Sequence, residues 1–428
     1  MTGPPRRISP PPAGGGRAPK PAMVTITSIA AGGDGVARVG NLVVFIPRTA
    51  PHDVVEIDFV GAGRLARGTL RAIRTPSPQR VAPACIHYNR DACGGCQLQH
   101  MSYDAQRTAK ARIVADALLR IGHREVAVPE VRASPSQWRY RRKLTLALRR
   151  RGAEWYAGLH PHDVPARVFE LTECRITDER VLAAWRDVMA AAAELPEATE
   201  LRGAVRVDDS GASFTLEGGK AWPRAEAFFA RTPTFGSLWW TPEGGVRRRL
   251  AERGGGENAP GASFVQVNVA VAEELQSYVL RKAMSHLPRT IVDAYAGTGA
   301  LALAAALRKV RVTAVELDED AVAWCAARLP ADSRAIAATV EDVLSRVLPA
   351  DVVVLNPPRA GVDAKVTTLL AGAAPTTKAI VYVSCDPATL ARDLTRLPAW
   401  RIASLTCFDM FPQTAHVETV CELVPGAP

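Results

Sequence analysis

Residues 379–393 read AIVYVSCDPATLARD, an apolar run followed by a segment with helical spacing. The β-branched residues of 379–383 predict a buried strand, and Asp386 followed by Pro387 predicts the start of a helix. Cys385 lies between the two, at the carboxyl end of the strand, where α/β sheets carry their chemistry. Because the amide-rich end of a helix favours an anion, we predict that Cys385 ionises readily and acts as a nucleophile. For this residue alone, a buried structural cysteine is the alternative.

The surrounding C-terminal region, residues 261–428, alternates between strand and helix patterns. Five strand patterns occur in it, at 290–294, 310–315, 334–338, 351–355 and 379–383. This alternation predicts a doubly wound, Rossmann-like parallel sheet, in which the fourth strand lies between the first and the fifth. Two further strands are predicted at 400–408 and 417–423.

The remainder of the chain divides into three parts by composition. Residues 1–22 are rich in arginine, proline and glycine, and we predict a disordered tail. Residues 23–78 carry short strand patterns broken by glycines, which predict a small β-barrel. Residues 79–260 predict a central α+β domain with basic clusters, ending in a glycine-rich linker at 252–261. The fold class is therefore α/β, with a Rossmann-like C-terminal domain behind a barrel and a central domain.

The overall composition narrows the partners and the cellular setting. The chain has 428 residues and a net charge of +10, which suits a polyanion such as nucleic acid. Its eight cysteines are too unevenly spaced for a disulfide framework. No apolar run is long enough to cross a bilayer. We therefore expect a cytoplasmic, monomeric protein with no membrane partner.

Four cysteines form a second chemical pattern, in the predicted central domain. Cys93 and Cys96 are two residues apart, Cys85 precedes them and Cys174 follows much later. Such a set suits a soft metal, either zinc or an iron–sulfur cluster, and the spacing alone favours zinc. Unrelated buried thiols are the alternative.

Three further motifs follow strands of the C-terminal region. Residues 293–300 read DAYAGTGA, a glycine turn that lets the backbone approach a ligand, although it lacks the three spaced glycines of a dinucleotide site. Glu316 ends the next strand, where a carboxylate can accept ribose hydroxyls. Residues 356–359 read NPPR and could form a slot for a flat base. Glu418 could act as a general base, although a surface acid is the commoner role for such a residue.

Together these motifs resemble the S-adenosylmethionine-dependent uracil-5-methyltransferases of ribosomal and transfer RNA. The string SCDPATLARD at 384–393 carries the resemblance most specifically. The resemblance implies that Cys385 is the nucleophile and Glu418 the proton acceptor, that the barrel is of the TRAM (OB-like) type, and that the thiols hold a [4Fe-4S] cluster instead of zinc. The implied cofactor-binding residues are Gln266, Tyr295, Gly297, Glu316 and Asn356. The implied cluster ligands are Cys85, Cys93, Cys96 and Cys174.

The activity implied by the resemblance is transfer of a methyl group from S-adenosylmethionine to C5 of a uridine in RNA, through a covalent Cys–C6 adduct. We expect ribosomal RNA in preference to transfer RNA. Asn356 departs from the family pattern, in which aspartate is common. An amino-methyltransferase built on the Asn-Pro-Pro loop is one alternative, but Arg359 stands where an aromatic residue would be needed. A non-catalytic RNA-binding protein is another, and it leaves Cys385 without a role.

Overall fold

The computed structural model describes residues 20–209, 211–253, 266–374 and 376–426. Residues 1–19 of the predicted tail lie outside the described residues. Residues 254–261, which are most of the predicted linker, also lie outside them. The described residues form two compact units, one of 20–82, 97–134 and 273–426 and one of 83–96 and 135–272. Within them, no helix combines the length and the apolar character that a membrane span requires.

The first sheet contains six N-terminal strands, in the order β1-β5-β6-β4-β3-β2. They are β1 (Lys20–Thr25), β2 (Ser28–Ile29), β3 (Gly35–Val39), β4 (Leu42–Ile46), β5 (Val54–Ala62) and β6 (Leu65–Thr75). Alternate residues such as Val44, Ile46, Val55 and Ile57 are buried in one apolar cluster. Because Lys20 to Ala22 pair with β5, the sheet begins inside the predicted tail. The assignment of this sheet as a TRAM-type barrel stays a prediction.

Two helices and a short strand follow, namely α1 (Ile86–Arg90), α2 (Tyr103–Arg120) and β7 (Glu130–Arg132). The Ser102 hydroxyl accepts a hydrogen bond from the Ala105 amide and caps the start of α2. Residues 97–134, which include α2 and β7, group with the first unit. The predicted central domain, 79–260, is therefore interrupted by a segment that packs elsewhere.

The second unit is built on a seven-stranded sheet in the order β10-β9-β8-β11-β12-β13-β14. Its strands are β8 (Lys143–Arg151), β9 (Glu154–Leu159), β10 (Phe169–Glu170), β11 (Glu200–Asp208), β12 (Gly211–Glu217), β13 (Phe235–Thr241) and β14 (Arg248–Glu252). Two α-helices, α3 (Glu179–Ala190) and α4 (Ala225–Arg231), and a 3-10 helix (Ala192–Glu194) accompany the sheet. Trp185 of α3 and Phe228 of α4 join the apolar cluster on one face of the sheet.

The third sheet, which belongs to the first unit, has the order β17-β16-β15-β18-β19-β21-β20-β7. Its strands are β15 (Thr290–Ala294), β16 (Arg311–Glu316), β17 (Arg334–Ala337), β18 (Val352–Leu355), β19 (Ala379–Ser384), β20 (Trp400–Phe408) and β21 (Glu418–Pro425). The helices are α5 (Val269–Met284), α6 (Ala300–Ala306), α7 (Glu319–Ala326), α8 (Val340–Val347), α9 (Ala364–Ala373) and α10 (Pro387–Thr395). β15 to β19 are parallel, with β18 between β15 and β19, so the predicted doubly wound sheet and its strand order are confirmed.

Candidate active site

The strand pairing of β19 with β21 brings Cys385 and Glu418 together. These strands are antiparallel, and Ser384 pairs with Thr419. Cys385 follows Ser384 and Glu418 precedes Thr419, so the two residues take the next opposed positions. Cys385 is half-buried, and Glu418 is only 4% exposed. The charge of Glu418 acts on the Cys385 thiol, so the two groups are close together at the carboxyl end of β19.

Burial governs the protonation of this pair. Loss of hydration and the nearby Glu418 raise the pKa of Cys385 to about 11, while Arg359 acts in the opposite direction. Loss of hydration also raises the pKa of Glu418 to about 8, again opposed by Arg359. The prediction that Cys385 ionises readily is therefore wrong for the resting protein. Helix α10 does begin beside the thiol, as predicted. The amide of Thr389 at this helix end, however, already donates to the side chain of Asp386, which takes the place that a Cys385 thiolate would need.

The NPPR segment after β18 is held by α10. The Thr389 hydroxyl donates to the carbonyl of Arg359 at 3.2 Å, and Arg392 donates to that of Ala360 at 2.7 Å. The buried carboxylate of Asp393 accepts the Val362 amide at 3.0 Å and the Tyr382 hydroxyl at 2.7 Å. These bonds fix the segment that carries Arg359 close to the thiol.

The positioning roles of Thr389, Arg392 and Asp393 were not predicted from the sequence. A signal was present, because polar residues stand at i, i+3 and i+4 on a helix whose Leu390 and Leu394 are buried. Gly361 belongs to the same contact. Its φ is +81°, and a Cβ atom there would lie 2.3 Å from Thr389 and 2.4 Å from Asp393.

The predicted cofactor loop has the backbone that its glycines suggest. Tyr295, Gly297 and Gly299 all have positive φ, at 61°, 56° and 76°. One carboxylate oxygen of Glu316 accepts the Gly297 amide at 2.9 Å, and the other accepts the amides of Leu317 and Asp318. Glu316 is thus fixed at the end of β16, and the oxygen that accepts the Gly297 amide keeps a further lone pair for a ligand hydroxyl.

Asn356 lies at the neighbouring strand end. Its amide donates to the carbonyl of Ala294 at 3.3 Å, and its side chain is exposed. Tyr295, Gly297, Glu316 and Asn356 therefore gather at the carboxyl ends of β15, β16 and β18, where the strand order reverses. This is the position at which open α/β sheets bind ligands, and the glycine backbone and fixed carboxylate fit an adenosyl cofactor.

Asp293 is a buried acid that joins the end of β15 to the start of α6, on either side of the cofactor loop. It is 3% exposed, and its carboxylate accepts the Ala302 amide at 3.1 Å. Burial raises the pKa of Asp293 to about 7, and the charge of Glu316 acts in the same direction. No role was predicted for Asp293 from the sequence. The available signal was an acid that follows the apolar residues Ile291 and Val292 in a buried strand.

Gln266 belongs to the second unit, unlike the other predicted cofactor residues. It is half-buried and lies three residues before the start of α5. The carbonyl of the adjacent Val267 accepts the Arg142 amide at 2.9 Å. Its role toward the cofactor stays a prediction.

The four predicted cluster ligands all lie in the second unit, and these four cysteines form no disulfide. Cys85 and Cys96 are buried in one small apolar cluster, against which Cys174 packs. Burial and the nearby Cys85 raise the pKa of Cys174. Cys93 is buried, and its sulfur accepts the Gly95 amide at 3.4 Å.

The thiol chemistry suits iron–sulfur ligation, but the geometry does not. In the described part of the chain, no group of three or more His, Cys, Asp or Glu side chains is arranged to hold a metal ion. The positions of these thiols therefore do not support the predicted ligand set, and none of the chemistry proposed below depends on a cluster.

Comparison with protein families gives two matches in the C-terminal region. Residues 332–424 match the family described as tRNA (uracil-5-)-methyltransferase, and residues 270–376 match the methyltransferase small domain. The first match covers Asn356, Cys385 and Glu418.

Whole-length relatives extend this finding to the rest of the chain. A protein of Thermosynechococcus vestitus, described as an uncharacterized RNA methyltransferase, is 32% identical over 93% of this chain and 96% of its own length. A protein of Gloeobacter violaceus with the same description is 34% identical over 94% of this chain and 95% of its own length. The chain belongs to the S-adenosylmethionine-dependent RNA uracil-5-methyltransferase family.

A solved structure supports the fold of this RNA methyltransferase. The tRNA (uracil-54, C5)-methyltransferase of Pyrococcus abyssi, crystallised with S-adenosyl-L-homocysteine, superposes with a TM-score of 0.70. The match covers 94% of this chain and all of the archaeal chain, at 22% identity. The architecture described above is therefore that of a known methyltransferase.

Proposed function

We propose that this RNA methyltransferase adds a methyl group to C5 of a uridine in RNA, and that Cys385 forms a transient bond to C6 of the same ring. The opposition of Cys385 and Glu418 across β19 and β21 carries the proposal. An amino-methyltransferase or a non-catalytic RNA-binding protein would have no use for this pair.

The chemistry requires a nucleophile and a base in turn. Uracil C5 is a poor nucleophile until the Cys385 thiolate adds to C6, which leaves an enolate with its electrons at C5. The bound cofactor supplies an electrophilic sulfonium methyl group. C5 takes that methyl, Glu418 removes the remaining C5 proton, and the electrons of the broken C–H bond form the C5–C6 double bond as the thiolate leaves.

Arg359 supports this cycle through its charge. It lowers the pKa of both Cys385 and Glu418, against the larger effect of burial. The contacts of Thr389 and Arg392 keep it close to both groups. Ionising Cys385 for attack and Glu418 for proton removal is therefore easier than burial alone would allow.

RNA containing 5-fluorouridine provides the test of this mechanism. The C5–F bond cannot lose a proton, so the reaction stops after methyl transfer with enzyme and RNA joined. We expect a band on a denaturing gel that requires S-adenosylmethionine and is absent from Cys385→Ala. If wild-type enzyme methylates normal RNA and yet forms no such band, the adduct mechanism is wrong.

The second unit offers a surface suited to the RNA. The side chains of β8 and β11 alternate, so Leu144 and Leu146 enter the core while Lys143 and Arg206, which are paired across the strands, share the opposite face. Arg202 lies on that face too, and its charge, like that of Arg206, lowers the pKa of Lys143. Arg202 also pairs with Glu217 and Arg206 with Asp208. This basic face therefore suits a phosphate backbone through Lys143 and through arginines that can exchange a carboxylate partner for a phosphate.

Stacked arginine–aromatic pairs flank the same sheet. Arg150 lies 4.6 Å from the ring centre of Trp155, and Arg249 lies 5.8 Å from that of Trp239. Aromatic and guanidinium planes stack on unpaired bases. A uridine must leave a helix to reach Cys385. A surface that holds single-stranded RNA is therefore consistent with the proposed reaction.

The choice of RNA remains part of the proposal. We propose ribosomal RNA in preference to transfer RNA, on the resemblance of the cysteine pattern to the ribosomal branch. The printed names of the matched family and of the archaeal structure refer to transfer RNA. Mapping 5-methyluridine in both RNAs, with and without the gene, separates the two substrates.

The [4Fe-4S] cluster predicted at Cys85, Cys93, Cys96 and Cys174 rests on residue type and on the family resemblance alone, because the positions of the thiols do not support it. Iron and sulfide analysis of anaerobically purified protein tests it, with Cys174→Ser as the control. Zinc in stoichiometric amount, or no metal, would contradict it. A monomeric state and a cytoplasmic location likewise remain predictions.

A further inference from the structure

The segment that leads into Glu418 is buried to an unusual degree for a loop. Residues 409–417 connect β20 to β21, and the loop contains no strand or helix. Only His416 is exposed and only Phe411 is half-buried. Loops normally run over the surface, because buried backbone groups need hydrogen-bond partners. The partners of this loop therefore indicate what holds Glu418 in place.

Helix α2 supplies one set of partners, from about 300 residues earlier in the chain. Lys110 is fully buried, and its ammonium group donates to Asp409 at 2.5 Å and to the carbonyl of Phe411 at 3.0 Å. Gln106 donates to the Gln413 side chain at 3.0 Å and accepts the Gln413 amide at 2.9 Å. All of these contacts are inside the first unit.

Gln413 is the most constrained residue of the loop. Its φ of 71° lies in the left-handed region, which non-glycine residues rarely adopt. Its carbonyl accepts the amides of Gln97 and Leu98, at 3.1 and 3.0 Å. With the two bonds to Gln106, four hydrogen bonds hold this conformation, and strain of this kind persists only where the surroundings impose it.

The N-terminal sheet packs against the same contact. Ile29 and Ala50 share an apolar cluster with Leu98 and Ala109 and with Ala415 of the loop. A Cβ atom on Gly33 would lie 2.5 Å from that of Gln97 and 3.3 Å from that of Ala415. The N-terminal sheet, α2 and the loop thus form one packed support for Glu418.

We propose that Gln106, together with Lys110 and Gln97, positions Glu418 opposite Cys385, and that the N-terminal sheet contributes to this support. The inference rests on the proposed function, in which Glu418 removes the C5 proton. An ionised Glu418 would gain hydration by turning toward solvent. A rigid loop prevents that movement. These three residues therefore serve the proton-removal step without touching the substrate.

The loss of this support has a distinctive kinetic effect. Cys385 addition and methyl transfer precede proton removal, so a displaced Glu418 slows only the last step. The enzyme should then accumulate as a covalent complex with RNA. A residue that merely stabilises the fold would lower the amount of active enzyme without accumulating this complex.

Gln106→Leu is the most direct variant, because it removes both bonds to Gln413, together with the bond to the Met101 carbonyl, at nearly constant volume. We expect turnover to fall by about 10- to 100-fold, the KM for S-adenosylmethionine to change by less than about 2-fold, and the RNA complex to become visible on a denaturing gel. Lys110→Met is a poorer probe, since it would leave Asp409 as an unpaired buried charge. If Gln106→Leu does not fold, Gln97→Ala, which loses the bond to the Ala415 amide, takes its place.

Arg124→Leu is the matched control. Arg124 is in the same unit and donates to the carbonyls of Leu394, Leu397 and Trp400, away from the loop. It should lower the melting temperature without accumulating the complex. Accumulation in Glu418→Gln but not in Gln106→Leu or Gln97→Ala would overturn the positioning role and leave the proposed function intact. Normal turnover without accumulation in Glu418→Gln would overturn both.

Discussion

At the scale of single residues, Glu418 is a buried carboxyl group that acts as a general base in the proposed reaction. A carboxyl group in water is ionised far below neutral pH and is a weak base. Burial raises the pKa of Glu418 to about 8, which brings its basicity close to the operating pH. The same burial means that both Glu418 and Cys385 hold their protons in the resting enzyme near pH 7.

The methylation rate should therefore rise with pH. Because Cys385 must be ionised for attack and Glu418 for the later proton removal, we expect kcat to increase between about pH 6.5 and 9. Steady-state turnover over that range measures it. Single-turnover methyl transfer, which precedes proton removal, should keep the same pH dependence in Glu418→Gln as in the wild-type enzyme. A flat profile in the wild-type enzyme would contradict the protonation states described here.

Stability should change with pH in the opposite sense. A carboxyl group whose folded pKa is above its unfolded value stabilises the fold below the unfolded pKa, and that contribution disappears as pH rises through the folded pKa. For Glu418 the window runs from 4.5 to about 8. Glu418→Gln should consequently raise the free energy of unfolding at pH 9 by about 3–5 kcal/mol and change it little at pH 4. Urea denaturation at the two pH values measures both quantities.

Cys385→Ala should abolish methyl transfer, since no other group can add to C6. Binding of S-adenosylmethionine, measured by calorimetry, should change by less than about 3-fold, because the cofactor loop belongs to other strands. Cys407→Ala is the control, as Cys407 is fully buried beside Thr419 and takes no part in the proposed chemistry. Methylation by Cys385→Ala at the wild-type rate would exclude the nucleophile.

At the scale of elements, two glycines of the cofactor loop allow the effect of backbone conformation to be separated from the effect of a close contact. Gly297 and Gly299 both have positive φ, but only Gly299 lacks room, because a Cβ atom there would lie 2.1 Å from the sulfur of Cys325. We expect Gly297→Ala to cost about 1 kcal/mol of stability and Gly299→Ala about 2–4 kcal/mol.

The affinity for S-adenosylmethionine should also fall more in Gly299→Ala than in Gly297→Ala. Gly299→Ala should weaken S-adenosylmethionine binding by at least about 10-fold, and adding Cys325→Ala should restore part of it. Calorimetric titration of the three variants measures the effect. Equal losses in Gly297→Ala and Gly299→Ala would show that backbone conformation alone, and not the Cys325 contact, limits the loop.

The sequence predicted elements best where local signals agreed. The run 379–383, Asp386 and Pro387 located β19 and α10, which the structure shows at Ala379–Ser384 and Pro387–Thr395. The pairing that opposes Cys385 to Glu418 was not predictable, since it depends on the antiparallel register of distant strands. The contacts of Gln106 and Lys110 were equally out of reach, because they join positions about 300 residues apart.

At the scale of the whole molecule, charge should dominate RNA binding. Lys143→Ala and Arg202→Ala, on the basic face of the second unit, should each weaken RNA binding and reduce the slope of log Kd against log salt by about 1. Arg308→Ala is the control, because Arg308 is exposed, lies outside the second unit and donates to the Ala304 carbonyl. Equal effects of all three variants would mean that the charge acts without regard to position.

The sequence also predicted only part of the division of the molecule into units. Composition predicted contiguous domains, whereas the chain passes between the two units near residues 82, 96, 134 and 272. The segment 97–134 leaves its sequence neighbours because β7 pairs with β20 and α2 packs beside α10. Such pairings depend on contacts across the chain and leave no local pattern.

This arrangement has a consequence during synthesis. Lys110 leaves the ribosome 299 residues before Asp409, an interval of roughly 15–60 s at ordinary elongation rates. Throughout that interval the Lys110 ammonium group lacks Asp409, and the side of α2 that packs beside α10 is not yet covered. We expect chaperones to bind α2 until β20 emerges, and the proton-removing site to be the last part of the enzyme to form.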